Sequence, residues 1–318
     1  MPRLASEGDL TAAGALFTAS FPHRAHEPAS WTTRREPNET MRWVVDDPAS
    51  HPERIAAYLS LWNVHARQYR MDLVIDPRWR GQHLGSQLVD YLVLRARQAG
   101  ATSLQARTYA ERGDALQLLG ARGFRETMRM TGLVLEDVAG AAVEPADSAR
   151  YALHTLHALG LRLTTLADEL ASDATSWQKL RDANQAARFG WPDPDPNPDG
   201  TVPDPESADE FRRRAEAFGM IPEACFIAAA GGVFVGYSAL TIIDPARTEA
   251  GSGGTAVRPE HRGHGVATAL KACCIRWARD HGVRRLATSS GNAAMIRVNE
   301  KFGFRRSYDE VRMVVRFP

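Results

Sequence analysis

The chemistry-bearing residues of this chain concentrate in one turn, Val257-Arg258-Pro259-Glu260-His261-Arg262-Gly263-His264-Gly265-Val266-Ala267. A β-branched residue and a proline lead into it. Behind it Val266, Leu270, Cys273, Cys274 and Trp277 recur at helical spacing, so a helix starts near Gly265. A strand that ends in such a turn and opens a helix presents free backbone N–H groups and the positive end of a dipole. That is an anion site, and phosphate is the anion it suits. The turn lacks the Gly-Lys-Ser/Thr ending of a nucleoside triphosphate loop and the three-glycine fingerprint of a dinucleotide site, which disfavours both ligands.

What the turn does carry, Arg262-x-x-Gly265-x-Ala267, resembles the signature of the GNAT acyltransferases. The segment Asn292-Ala293-Ala294-Met295-Ile296-Arg297-Val298-Asn299-Glu300-Lys301-Phe302-Gly303-Phe304, roughly forty residues on, is similar to that family's helix and strand beyond the acyl site. The resemblance implies acetyl-CoA as co-substrate, with its pyrophosphate on the backbone of Arg262, Gly263, His264, Gly265, Val266 and Ala267. Backbone N–H groups of Thr255, Ala256 and Val257, on the strand before the turn, would meet the oxyanion. Gly251, Gly253 and Gly254 just upstream fit a bulge that frees such donors or a plain flexible loop. Arg262 can add charge to a phosphate or stay solvated. Asn292 matches the family asparagine that binds the pantetheine arm, and it can equally cap a helix.

Acyl transfer to an amine needs a neutral amine, a donor for the oxyanion and a thiolate able to leave. Many family members carry a tyrosine where this chain has Asn299, which can hydrogen-bond sulfur but cannot give a proton. The usual glutamate before the Asn292 equivalent is replaced by Ala287, Thr288 and Ser289. Glu249, Asp244, His261 and His264 remain as candidate bases, with Glu249 and Asn299 the pair carried forward as catalytic.

The elements that must position these residues occur twice. Pro77, Arg80, Gly81, Leu88, Ala96, Arg97, Gly100 and Leu104 precede Pro259, Arg262, Gly263, Leu270, Ala278, Arg279, Gly282 and Leu286 by 182 residues. After a two-residue slip, Gly123-Phe124-Arg125 falls on Gly303-Phe304-Arg305. This is an internal repeat. The expected architecture is mixed α/β, two tandem GNAT-like domains, each a mostly antiparallel twisted sheet flanked by helices. The boundaries expected are 1–140, a linker at 141–160, and 161–318. In the first repeat the turn reads Arg80, Gly81, Gln82, His83, Leu84, Gly85. His83 replaces a glycine, Leu119 fills the tyrosine slot and no asparagine matches Asn292. This turn either holds a second acyl-CoA or merely caps its helix.

Strands are expected over Arg54–Trp62, Met71–Ile75, Ser103–Tyr109, Leu161–Leu166, Phe226–Ala230 and Val233–Ile242. Helices are expected over Asp9–Phe21, Ser86–Gln98, Trp177–Phe189 and Ala208–Phe218. The stretch between Phe21 and Arg54 has little periodicity. The proline-aspartate segment from Trp191 to Pro205 cannot be helix or central strand. It is either an exposed loop or a wall of the acceptor cleft suited to a cationic amine.

Lys plus Arg 39 against Asp plus Glu 38 leave a net charge of +1, so nothing draws the whole chain to nucleic acid or an anionic membrane. Apolar runs fall short of a membrane span, and the N-terminus carries acids where a signal peptide needs an apolar core. Three cysteines, Cys225, Cys273 and Cys274, are too few and badly spaced for a disulfide frame or a zinc site. The expectation is a cytoplasmic enzyme without a metal, acetylating a primary amine of a small molecule. A mycothiol-synthase-like acetylation of a cysteinyl amine is the nearer alternative. A non-catalytic acyl-CoA sensor or scaffold, prompted by the missing tyrosine, is the more distant one.

Overall fold

Strands form where apolar residues alternate or run on between turns, and helices form where the apolar stripe has a period near 3.6. The computed structural model describes residues 1–22, 40–47, 54–65, 67–141, 153–188, 206–243, 246 and 248–318. In chain order these hold strand β1 (Arg3–Leu4), helix α1 (Asp9–Ser20), strands β2 (Thr40–Asp46), β3 (Ile55–His65) and β4 (Gln68–Ile75), helix α2 (Leu84–Gln98), strand β5 (Ser103–Tyr109), helix α3 (Gly113–Gly120) and strand β6 (Arg125–Leu135). Then follow β7 (Arg162–Thr165), α4 (Leu166–Ser172), α5 (Ser176–Arg188), α6 (Ala208–Ala217), β8 (Met220–Ala230), β9 (Val233–Ile242) and β10 (Glu249–Val257). The last four are α7 (Val266–Asp280), β11 (Arg285–Ser290), α8 (Ala293–Lys301) and β12 (Arg305–Arg316). The segment from Trp191 to Pro205 and the candidate base Asp244 lie outside the described residues. Strand β2 falls in the stretch read as unpatterned, and α3 and α4 were not foreseen either.

The described residues gather into two compact units, 1–129 with 309–318, and 130–308. These bounds differ from cuts at 140 and 160, and strand pairing supplies the reason. Residues Thr131–Leu135 of β6 pair antiparallel with β11, and Leu133, Leu135 and Val138 sit in the second unit's core. Residues Glu310–Arg316 of β12 pair antiparallel with β5, and Val311 and Met313 sit in the first unit's core. Each sheet is therefore completed by a strand that the chain supplies from beyond the repeat it belongs to. Burying Val311 and Met313 stabilises the first unit by roughly 2 kcal/mol each.

In the first unit the strand order is β1-β2-β3-β4-β5-β12, antiparallel except for the parallel β4–β5 pair. Ile55–Trp62 is buried without a break, as expected of a strand covered on both faces. Leu88, Leu92 and Ala96 of α2 pack on Leu59, Leu61 and Leu104. On the opposite face Phe21, just past α1, meets Tyr109 edge-on at 5.6 Å.

In the second unit the order is β6-β11-β10-β9-β8-β7, with β10–β11 the parallel pair. Ala272, Cys274 and Ile275 of α7 cover Leu240, Ala250 and Leu286 on one face. Trp177 and Leu180 of α5 and Phe211 of α6 cover Ile227, Tyr237 and Ala239 on the other. Among the described residues no helix is long and apolar enough to cross a membrane.

Candidate functional site

Strand β10 reads Glu-Ala-Gly-Ser-Gly-Gly-Thr-Ala-Val, too poor in side chains to be an ordinary central strand. It pairs in parallel with β11 only from Glu249↔Arg285 to Gly251↔Ala287. Strand β11 then continues beside β6, while β10 stays with β9 as far as Val257. From Ser252 onward, then, the two parallel strands part and leave a wedge. The β9 register slips between Ser252 and Gly254, so Gly253 is the extra residue of a β-bulge. The glycines there are required. Gly254 has φ +115°, and a Cβ on Gly253 would stand 3.0 Å from Thr241 Cγ2. Ser252, Gly253, Gly254 and Thr255 are half-exposed between buried neighbours, Ala250 and Gly251 before them and Ala256 and Val257 after. Of the two readings open for the glycines, the structure shows the bulge.

Beyond Val257 the chain makes one 3-10 turn, Pro259–His261. It crosses two left-handed glycines, Gly263 at φ +80° and Gly265 at φ +82°, and enters α7. Gly265 caps that helix without a side-chain hydrogen bond, which leaves the N–H groups of Val266, Ala267 and Thr268 with no acceptor inside the helix. Arg262 is committed elsewhere: its Nε donates to Val257 O at 3.1 Å and its Nη2 to Ala187 O at 2.7 Å. The guanidinium thus clamps the turn to the strand end and to α5 rather than being held for a phosphate. His264 is exposed and His261 half-exposed at the rim.

Of the other expected site residues, Thr255 lies on the open stretch, its Oγ1 2.9 Å from Ser238 Oγ. Asn292 is the cap of α8: its Oδ1 accepts from Ala294 N at 2.8 Å and Met295 N at 3.3 Å. That leaves its side-chain amide nitrogen as what it can offer a ligand. Asn299 is fully buried. Its Nδ2 donates to Met295 O at 3.0 Å, and among the described residues its Oδ1 has no hydrogen-bond partner. Glu249 stands on the closed, paired end of β10, where it holds Arg285 at 3.0 Å. The structure brings the turn and Thr255–Val257 onto one strand–turn–helix path and leaves Glu249 off the open stretch.

One buried charged side chain at the strand parting escaped the sequence reading. Lys271 of α7 is only 3 % exposed, and its Nζ donates to Ser252 Oγ at 3.3 Å. Burial pushes its pKa below the ordinary lysine value. Its neighbour Cys274 is a buried thiol whose Sγ donates to Ser238 O, with its pKa pushed up by burial. The signal was spacing: Lys271, Cys274 and Ala278 recur at helical intervals on one buried stripe, so a charged residue there had to be buried.

The first unit repeats the turn. The 3-10 turn Pro77–Trp79 precedes Gly81 at φ +74° and His83 at φ +59°, and Arg80 Nε donates to Ile75 O at 3.0 Å. The strand before it differs. Gln68↔Ser103 pairs as Glu249↔Arg285 does, but Pro77 follows Gln68 by nine residues whereas Pro259 follows Glu249 by ten. The missing residue is the bulge: β4 runs against β3 without a slip from Arg70 to Ile75. Side chains fill the parting of β4 from β5. Arg107 reaches Asp72 at 3.8 Å, Ser60 donates to Asp72, and Arg70 donates to Gln105 at 2.7 Å. Burial, with Arg107 and Arg312 nearby, pushes Arg70 down to about 9.

The sequence model of the acetyltransferase (GNAT) family matches residues 10–124 and again residues 177–304. Among solved structures the chain is similar to a GCN5-related N-acetyltransferase from Sphaerobacter thermophilus, at 18 % identity and TM-score 0.71 over 99 % of this chain and 95 % of that one. It is also similar to a tandem GNAT protein from the clavulanic acid biosynthesis pathway, at 20 % identity and TM-score 0.67 over 100 % of this chain and 98 % of that one. At such identities the likeness is one of fold. No curated protein matches the chain.

Proposed function

Because the chain belongs to the acetyltransferase (GNAT) family, we propose that its second unit transfers an acyl group, acetyl first among them, from acyl-CoA to a primary amine of a small molecule. One observation carries the reading. The uncapped helix start at Val266–Thr268 and the unpaired, bulged edge at Ser252–Thr255 belong to one continuous strand–turn–helix. The turn offers N–H groups and a helix dipole to a pyrophosphate. From Val257 back to Ser252 the strand spans roughly 17 Å at about 3.3 Å per residue, comparable to the reach of an extended pantetheine arm. The parted edge offers that arm backbone partners, and the bulge aims backbone donors at the carbonyl oxygen that becomes an oxyanion. Gly253 and Gly254 keep the path clear of side chains.

Arg80–Gly85 is the corresponding turn of the first unit. Its shape suits a phosphate, but the Asp72–Arg107 contact fills the adjoining parting, so we assign the tighter site to the second unit. The buried Asn299 has no proton to give, which keeps a non-catalytic acyl-CoA sensor as the second reading. Thiol release from acetyl-CoA, followed across a panel of primary amines that includes a cysteinyl amine, separates the two. Acceptor-dependent release supports the transferase. Tight CoA binding with no acceptor-dependent release across the panel favours the sensor.

A further inference from the structure

The thiolate that leaves an acyl-CoA must be stabilised and then protonated, and Asn299 can do neither by proton transfer. The second unit holds one buried cation at the parting of its parallel strands. Lys271 projects from the second turn of α7 into an otherwise apolar contact between helix and sheet, 3 % exposed, with Ser252 as its hydrogen-bonding neighbour at 3.3 Å. Ser252 is the first residue of β10 past the last parallel pair, Gly251↔Ala287, and the first before the bulge. The other titratable group beside Lys271 is Cys274, which stays a neutral thiol because its own ionisation is opposed by burial. Among the described residues no ion pair compensates the lysine. The internal repeat sharpens the contrast: the position 182 residues earlier is Val89, buried in the first unit's core. A lysine where an apolar side chain suffices for packing costs stability, and it stands only in the unit whose strand parting is open.

We propose that Lys271, working through the Ser252 hydroxyl, stabilises the thiolate released from acyl-CoA and supplies its proton. The inference rests on the acyl-CoA reading of the second unit. In the step, the amine lone pair forms the C–N bond and the C–S bond breaks with its electron pair on sulfur. Sulfur takes the Ser252 hydroxyl proton as Ser252 takes one from the Lys271 ammonium. The acylated nitrogen sheds its proton to solvent, and Lys271 recovers one from solvent, so the proton count closes. Lys271 is a positioning residue in this scheme, since Ser252 makes the contact with sulfur.

The test needs CoA alone and no acceptor. Ultraviolet absorbance of the thiolate, followed against pH in the protein–CoA complex, gives the ionisation of the bound thiol. The expected result is a bound thiol that ionises at least about ten-fold more readily in the wild-type protein than in Lys271→Met, that is, about one pKa unit lower. Lys271→Arg should keep most of the shift, and Ser252→Ala, which removes the hydroxyl between the lysine and the sulfur, should lose most of it. The effect should fade as pH rises through the lysine's lowered pKa. Equal thiol ionisation in wild type, Lys271→Met and Ser252→Ala, with CoA bound in all three, overturns the inference and leaves the acyl-CoA reading standing. So does acylation of Lys271 itself on incubation with acetyl-CoA, found by mass spectrometry, because an amide cannot carry the proton. Failure of the wild-type protein to bind CoA overturns the acyl-CoA reading and this inference with it.

Discussion

Replacing Gly265 with Glu tests the turn directly, because fold and ligand respond to different parts of the change. Gly265 has φ +82°, and a side chain in that left-handed region costs about 1–2 kcal/mol. The protein tolerates such a residue: His83 holds φ +59° at the same place in the first unit. The melting temperature should therefore fall by only about 2–8 °C. Binding should suffer far more. A carboxylate brought within about 4 Å of a phosphate is opposed by about 4 kcal/mol per charge pair at an effective dielectric near 20. The helix start then also serves the wrong anion, which forfeits up to about 2 kcal/mol of dipole stabilisation. Even if the glutamate swings half away, CoA affinity should drop at least about 100-fold, since each 1.4 kcal/mol is about tenfold. Gly265→Ala shares the backbone strain without the charge and should lose under about tenfold. Calorimetric titration with CoA at low ionic strength, beside a melting curve of each variant, supplies both readouts. A folded Gly265→Glu protein with unchanged CoA affinity would refute the phosphate assignment.

Other outcomes follow from the same geometry. Native mass spectrometry with CoA should show one ligand filling first; Gly265→Glu should remove it and His83→Glu should not, whereas the reverse would transfer the tight site to the first unit. Ending the chain after Tyr308 removes the strand that pairs with β5 and two core side chains, Val311 and Met313. The resulting loss of about 4 kcal/mol or more is a large part of a domain's stability and should appear as early melting of the first unit in hydrogen exchange. Glu249→Gln distinguishes base from strut: a general base should cost about 100-fold or more in kcat, whereas an Arg285 strut should leave kcat within a few-fold and lower the melting temperature slightly. The position on the closed end of β10 predicts the second result.

The fold class and the family turn were legible because both are local. Glycines at 263 and 265, the proline at 259 and the stripe from Val266 to Trp277 dictate strand, turn and helix within twenty-one residues of sequence. The unit bounds were not legible, because strand exchange leaves no local mark. Residues 131–135 and 310–316 are strand-like wherever they pair, and only the finished sheets show that each completes the unit beyond its own repeat. Strand β2 was hidden in Thr40-Met41-Arg42-Trp43-Val44-Val45-Asp46, where Arg42 breaks the apolar pattern. Arg262 was legible as an arginine but not as a clamp, since its acceptors, Val257 O and Ala187 O, are backbone atoms that sequence does not distinguish.

The contrast between the repeats comes down to one inserted residue. With nine residues from the first parallel pair to the proline, β4 keeps its register against β3, and the gap beside β5 is closed by Asp72 and Arg107. With ten, β10 must bulge, and the bulge is tolerable only because Gly253 and Gly254 can adopt it. Repeat alignment at a constant offset of 182 hides this, since it matches the turns and lets the strands upstream drift by one. Deleting Gly253 should remove the bulge and restore an unbroken register with β9, leaving Ser252 opposite Leu240 and Gly254 opposite Ala239 on the faces they already hold. Glu249 would stay opposite Arg285 and Ser252 on the face of Lys271, so the change is confined to the bulged stretch. That variant should lose CoA affinity although no residue of the phosphate turn has changed. Full CoA affinity in a folded deletion protein would show that the bulged strand plays no part in holding the ligand.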